Sequence, residues 1–198
     1  ITGISDTHIN KFISHSKFEI ASNIIAMPQF AKQFIQRNKR PHTNADIHNI
    51  GESINKKILC QPHYTIPFAT NITQLLHELG IKVGIATSYD HDIAKELISR
   101  FKCAGGHVDE FVSADQFKIS RPAPWSGYNL INKLGFDNKL DDGIRICSST
   151  ADIQQGQIIG CNTVGLLDTS SDIYIQSRAE LSENWHSIAN NISCFNDI

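Results

Sequence analysis

The sequence holds a single methionine, Met27, no C-x-x-C pair among its five cysteines, no surplus of basic charge and no long apolar run. Each absence excludes something. Cys60, Cys103, Cys147, Cys161 and Cys194 are odd in number and scattered, so neither a zinc ribbon nor a disulfide framework is expected, and they read as reduced thiols of a cytoplasmic protein. Eighteen Lys and Arg against twenty Asp and Glu leave a net charge of -2. That lacks the basic footprint a phosphate backbone demands, and no nucleic-acid partner is expected. The apolar runs Ile24 to Met27 and Ile81 to Ala86, the latter broken by Lys82, fall far short of the ~20 residues that span a bilayer, so no membrane contact is expected. The nine histidines form no H-x-H or H-E-x-x-H spacing, and no metal cluster is expected of them. The chain opens with Ile1, without a basic stretch followed by an apolar one, and its natural N-terminus is expected to lie elsewhere.

What is present is a globular chain of 198 residues, 40% hydrophobic and 19% charged, enough for one core plus a small appendage. Its first part reads as three amphipathic helices. Phe18, Ala21, Ile24 and Ile25 fall at helical spacing, Phe30, Phe34 and Ile35 repeat the pattern, and Ile47, Ile50, Ile54 and Ile58 step by three and four behind a cap at Thr43 or Asn44. A boundary is expected near Pro62 to Pro67, dividing a helical segment over residues 1–64 from an α/β segment over 65–198. In the second segment Thr70 is expected to cap a helix with Ile72, Leu75, Leu76 and Leu79 on one face, stopped by Gly80.

Strands are expected over Ile81 to Thr87, Glu110 to Ser113, Gly143 to Cys147 and Thr163 to Leu167. Helices are expected between them, from Asp90, over Trp125 to Leu134 and over Asp152 to Ile159. The alternation predicts an α/β fold with a Rossmann-like parallel sheet covered on both faces, whose ligands lie at the carboxyl ends of the strands. The segments after the first three strands carry Thr87-Ser88-Tyr89, Ser120-Arg121 and Ser148-Ser149-Thr150-Ala151-Asp152. Hydroxyls, helix-start N–H groups and a guanidinium suit a phosphoryl group.

Together these segments resemble the haloacid dehalogenase superfamily and, within it, the phosphonoacetaldehyde hydrolase (phosphonatase) family. "GIKVGIATSY" is similar to the second motif, "SRPAPW" to the Arg-Pro-x-Pro-Trp third motif, and "RICSSTADIQQGQIIGCNTVGL" to the fourth, in order and spacing from Gly80 to Gly165. "ISDTHINKFISHSK" lies over the cap segment that ends in the family's Schiff-base lysine, which aligns Lys17 with it, and Ala45 to Ile47 lie over the next cap helix. The resemblance implies a helical cap over residues 1–64 and a core over 65–198. It also implies a lysine amine that condenses with an aldehyde, an aspartate nucleophile that accepts the phosphoryl group with Mg²⁺ assistance, and a homodimer through the cap. By the same resemblance Lys17, Arg121 and Asp152 are the catalytic candidates, and Thr87, Ser88 and Arg121 would hold the oxygens of a small phosphorylated or phosphonate ligand.

The departures matter as much. The first core strand with its Asp-x-x-Gly-Thr motif is absent from this sequence; Asp6 is followed by Thr7, His8, Ile9 and Asn10 and lies only eleven residues before Lys17. The family's Gly-Asp-Thr is Cys147-Ser148-Ser149, so a metal-binding carboxylate is a hydroxyl. The Met-Gly before the lysine is Ile13-Ser14, and a histidine one turn after it is Ile20. Hydrolysis of the carbon–phosphorus bond is therefore expected to be impaired or lost, the alternative being a catalytically dead module that keeps the fold for binding. Without that central strand two strands would expose unpaired backbone and apolar side chains, so either residues outside this sequence are expected to supply it or the sheet is expected to rearrange.

Overall fold

The computed structural model describes residues 2–5, 8, 12, 15–61, 68–136, 140–166 and 187–189. Three helices form the first layer: α1 (Lys17–Ala26), α2 (Pro28–Asn38) and α3 (Asn44–Cys60). Helix α1 begins in a reciprocal cap, in which Ser16 Oγ accepts from Glu19 N–H at 3.2 Å and Glu19 Oε2 accepts from Ser16 N–H at 3.0 Å. Pro28 starts α2, where its missing N–H costs nothing. Thr43 and Asp46 cap α3 in the same reciprocal way, and Arg40 holds Asp46 at 2.6 Å. The expected apolar faces meet: Ile20, Ile24 and Phe30 form a buried cluster with Phe12 and Met27 packed on it, and α1 lies against α2 and α3.

Beyond position 68 the chain alternates: α4 (Ala69–Glu78), β1 (Gly84–Ala86), α5 (His91–Cys103), β2 (Glu110–Val112), α6 (Trp125–Leu134), β3 (Ile144–Cys147), α7 (Thr150–Ile159), β4 (Asn162–Leu166) and β5 (Ser187–Ala189). Every strand pairing is parallel, as the alternation predicts. Gly135 and Gly160 end α6 and α7 at φ 81° and 88°, the left-handed region glycine favours.

One expectation needs correction. Thr70 does not cap α4; the helix starts from Phe68 at φ 65°, and the Thr70 hydroxyl turns to Asn71 instead. On the apolar face of α4, Ile72 and Leu76 are partly buried, whereas Leu75 and Leu79 are 55% and 65% exposed.

The sheet is split. Among the described residues β1 pairs only with β2, Gly84 beside Glu110, while β3, β4 and β5 form a second block with Ile144 beside Asn162 and Val164 beside Ser187. Among the described residues no strand precedes β1, so β1 and β3 each keep one unpaired edge, and Ile144 and Ile146 of β3 are exposed. The helices join the blocks: α6 packs on β1 and β2, α7 on β3 and β4, and α6 meets α7 at Gly127, where a Cβ would lie 2.0 Å from Ile159 Cδ1. Fully buried Gln155 of α7 donates to Ser126 Oγ at 2.9 Å and to the Ala123 carbonyl, fastening α7 to the start of α6.

Asp6, Ile13, Ser14, Leu167, Cys194 and the boundary over 62–67 lie outside the described residues. Of the other cysteines, all four are free thiols, Cys60 and Cys103 exposed, Cys147 and Cys161 buried. No helix among the described residues is long and apolar enough to cross a membrane.

Candidate active site

Four segments build the site: the start of α1, the turn after β1, the turn before α6, and the end of β3 with the first turn of α7. Parallel strands deliver the last two to one edge because each strand runs toward the same end and hands its carboxyl terminus to a helix. Arg121 precedes α6 and donates through an Nη1–H to Asp152 Oδ1, in the first turn of α7. The same oxygen accepts from Arg145 Nη2 of β3 at 3.1 Å. The other oxygen, Oδ2, accepts from Ser149 Oγ at 2.6 Å, and Ser149 caps α7 by accepting from Asp152 N–H at 3.3 Å. The side chains of Arg121, Arg145 and Asp152 are each 15% exposed or less. One carboxylate thus stands between two guanidiniums, which leaves a surplus positive charge in a largely dry setting.

Lys17 is the first residue of α1, at the positive end of a helix, where a cation is disfavoured. Burial lowers its amine below the ordinary lysine value, the Asp90 carboxylate opposes that, and the Arg121 guanidinium adds to it. Its Nζ stands 4.8 Å from the centre of the Tyr89 ring. The helical layer and the core touch again at Glu19, which accepts from Ser120 Oγ next to Arg121. Burial works against the Glu19 carboxylate, but bonds from Ser120 and Ser16 outweigh it and hold the group below its ordinary value.

Thr87 extends the β1–β2 ladder by donating its N–H to Val112 O at 3.0 Å, and its Oγ1 accepts from Tyr89 N–H at 3.2 Å, which leaves the hydroxyl proton to donate. Ser88 is half-buried beside it. Of the sequence candidates, then, Arg121 and Asp152 are in direct contact and Lys17 feels the charge of Arg121, whereas Thr87 and Ser88 sit at the end of β1 with no bond to the arginine–aspartate cluster. Two surface clefts, one beside Trp125 and Tyr128, the other beside Ser99 and Glu110, contain none of these residues.

Sequence reasoning missed Arg145, Glu19, Asp90 and Asn55. Two of them left a signal: an arginine inside the strand run Ile144-Arg145-Ile146 has to find an acid if it is buried, and Ser16 to Glu19 has the S-x-x-E spacing of a capping box.

The residues present do not fit a magnesium ion. Mg²⁺ takes carboxylate and water oxygens in near-octahedral geometry. Ser148, at the position of the family's carboxylate, offers a neutral hydroxyl, and both oxygens of Asp152 are engaged by Arg121, Arg145 and Ser149. No group of three or more His, Cys, Asp or Glu side chains among the described residues is placed to hold a metal ion.

The haloacid dehalogenase-like hydrolase family model matches residues 3–166. Phosphonoacetaldehyde hydrolase of Bacillus cereus is 25% identical over 179 residues, 89% of this chain and 67% of that protein. The Bacteroides fragilis phosphonoacetaldehyde hydrolase is 25% identical over 160 residues, covering 79% of this chain and 60% of its own length. Among solved structures, a phosphonoacetaldehyde hydrolase-like protein from Oleispira antarctica superposes with a TM-score of 0.81 over 99% of this chain and 79% of its own, at 16% identity. A β-phosphoglucomutase described as putative, from Thermotoga maritima, gives 0.64 over 96% of this chain and 87% of its own, at 14% identity, a likeness of fold alone. With parallel strands, a helical layer over the strand ends and a family match across residues 3–166, the chain belongs to the haloacid dehalogenase-like hydrolases.

Proposed function

We propose that this chain is a phosphonatase-type protein that captures the aldehyde of phosphonoacetaldehyde as an imine on Lys17 and releases little or no phosphate from it. The observation that carries the reading is the placement of the Lys17 amine, largely buried, lowered in pKa by that burial, and near the Arg121 guanidinium. Only a neutral amine attacks a carbonyl, and an ordinary lysine is almost wholly protonated at pH 7. The surplus charge of Arg121 and Arg145 around Asp152 suits the phosphonate group, with the hydroxyls of Thr87 and Ser88 as further donors. Trapping the imine by reduction, and locating the adduct by peptide mass spectrometry, tests the reading.

A second reading, a binding module without hydrolysis, is favoured by one specific observation: the Asp152 carboxylate is fully engaged, and Ser148 brings no charge to replace it. In both readings the chemistry of Lys17 is separable from phosphoryl transfer, which needs a nucleophile and charge neutralisation as well. A homodimer through the helical layer belongs to the same proposal and is checked by light scattering.

A further inference from the structure

Asp90 is the residue before α5, the position from which an aspartate ordinarily accepts from the first N–H groups of its own helix, yet its carboxylate makes no such bond. Asp115 serves that end instead, its Oδ1 accepting from His91 N–H at 3.0 Å. Released from capping, Asp90 turns toward the helical layer, where Asn55 of α3, 5% exposed, donates to Oδ2 at 2.6 Å. Its other oxygen, Oδ1, is buried and accepts from none of the described residues. A buried acceptor left without a donor is costly; the Lys17 ammonium, which carries three N–H donors, lies against Tyr89, the neighbour of Asp90 in sequence, and bears on Asp90 through its charge without forming an ion pair with it.

We propose that Asp90, clamped through Oδ2 by Asn55, is the proton acceptor for Lys17, its unpartnered Oδ1 taking the ammonium proton through one bridging water so that the amine can attack an aldehyde. The proposal rests on the Schiff-base reading and deepens it. The ammonium gives one proton to Asp90, and the freed nitrogen pair forms the N–C bond while the carbonyl π pair moves to oxygen, which takes the proton that the nitrogen sheds. The carbinolamine hydroxyl then leaves as water with the proton that Asp90 returns, and the nitrogen pair closes the C=N⁺ bond. Ammonium and aldehyde become iminium and water, and Asp90 ends as the carboxylate it began as. Because it exchanges protons with Lys17 and with the departing hydroxyl, Asp90 acts as a general base and then a general acid on the reacting atoms.

The electrostatics agree. The groups that bear on Asp90 are Lys17, Glu52 and Asp115, with Asn55 as its hydrogen-bond donor; burial raises its carboxyl, Asn55 and Lys17 lower it, and the two acids raise it further, with a net rise. Lys17 moves the other way, so the two groups approach each other in proton affinity, which eases transfer between them.

The test is the rate of Lys17 adduct formation on the full chain with phosphonoacetaldehyde and cyanoborohydride, followed from pH 4 to pH 10. For the wild type two rising limbs are expected, one as Asp90 ionises above the usual carboxylate range and one as Lys17 loses its proton below the usual lysine range. In Asp90→Asn the first limb disappears and the second moves to lower pH, because the anion that favours the ammonium is gone; at neutral pH the rate falls about a hundredfold, and added formate restores part of it. A structural role would lower the yield without removing a limb and would not respond to formate. If Asp90→Asn does not fold, Asn55→Ala serves, since it keeps the carboxylate but frees it and is expected to shift the first limb. A wild-type profile in the variant overturns the proposal, whereas no adduct on the wild-type chain overturns the Schiff-base reading beneath it.

Discussion

Arg121 and Arg145 meet on a single oxygen, Asp152 Oδ1, although one precedes α6 and the other lies within β3. The shared carboxylate ties the turn before α6 to the second sheet block. Gln155, three residues on along α7, reinforces the tie through Ser126 and the Ala123 carbonyl.

Removing Asp152 leaves two guanidiniums facing each other without a counter-charge. Asp152→Ala is expected to lower unfolding free energy by about 3 kcal/mol, the usual cost of breaking a buried pair from one side. Urea denaturation monitored by circular dichroism measures it. Arg145→Leu is expected to cost less, since Arg121 keeps its partner.

Thiol reactivity is expected to follow burial. Burial pushes the Cys147 thiol up to about 12, against the nearby Arg145, and raises Cys161 as well. Iodoacetamide at pH 8 is expected to label Cys60 and Cys103 and to spare Cys147 and Cys161 until denaturant is added, as read by peptide mass spectrometry.

Acid stability is expected to depend on Asp109, which joins the starts of β1 and β2. Burial opposes its charge, but the Val83 N–H at 2.8 Å, Lys82 and His107 prevail and hold the carboxyl at about 2. A carboxyl depressed on folding stabilises above its unfolded pKa near 4, and that contribution is lost as pH falls toward 2. Denaturation midpoints from pH 5 to pH 2 are expected to fall less steeply for Asp109→Asn than for the wild type.

Calorimetry is expected to show weak or no Mg²⁺ binding to the wild-type chain, because Ser148 brings no charge and Asp152 is committed to arginines. Ser148→Asp supplies the missing carboxylate and is expected to raise Mg²⁺ affinity. Tight binding by the wild type contradicts this account of the site.

Much of the fold is legible in the sequence because its signals are local. The apolar spacing of Phe18 to Ile25 and the glycines at 135 and 160 mark helices that the structure contains. The sheet is parallel because helix and strand alternate, and among the described residues β1 and β3 each keep one unpaired edge. The exposure of Leu75 and Leu79 on α4 was not legible, because helical spacing says which residues share a face and nothing of whether a partner covers it. Arg121 and Asp152 were legible from motif order. Asp90, Asn55 and Glu19 were not: their roles come from side chains meeting across 35 and 101 positions of chain, and Asp90 occupies a position where a cap is the ordinary reading.

Reductive trapping run beside a phosphate-release assay tests most directly the proposal that Lys17 forms an imine where phosphoryl transfer fails. With phosphonoacetaldehyde and borohydride the expected result is a covalent adduct on Lys17, none in Lys17→Arg, whose guanidinium keeps the charge but forms no imine at neutral pH, and phosphate release at background. Absence of an adduct on Lys17, or phosphate release at the turnover of an ordinary hydrolase, would contradict it.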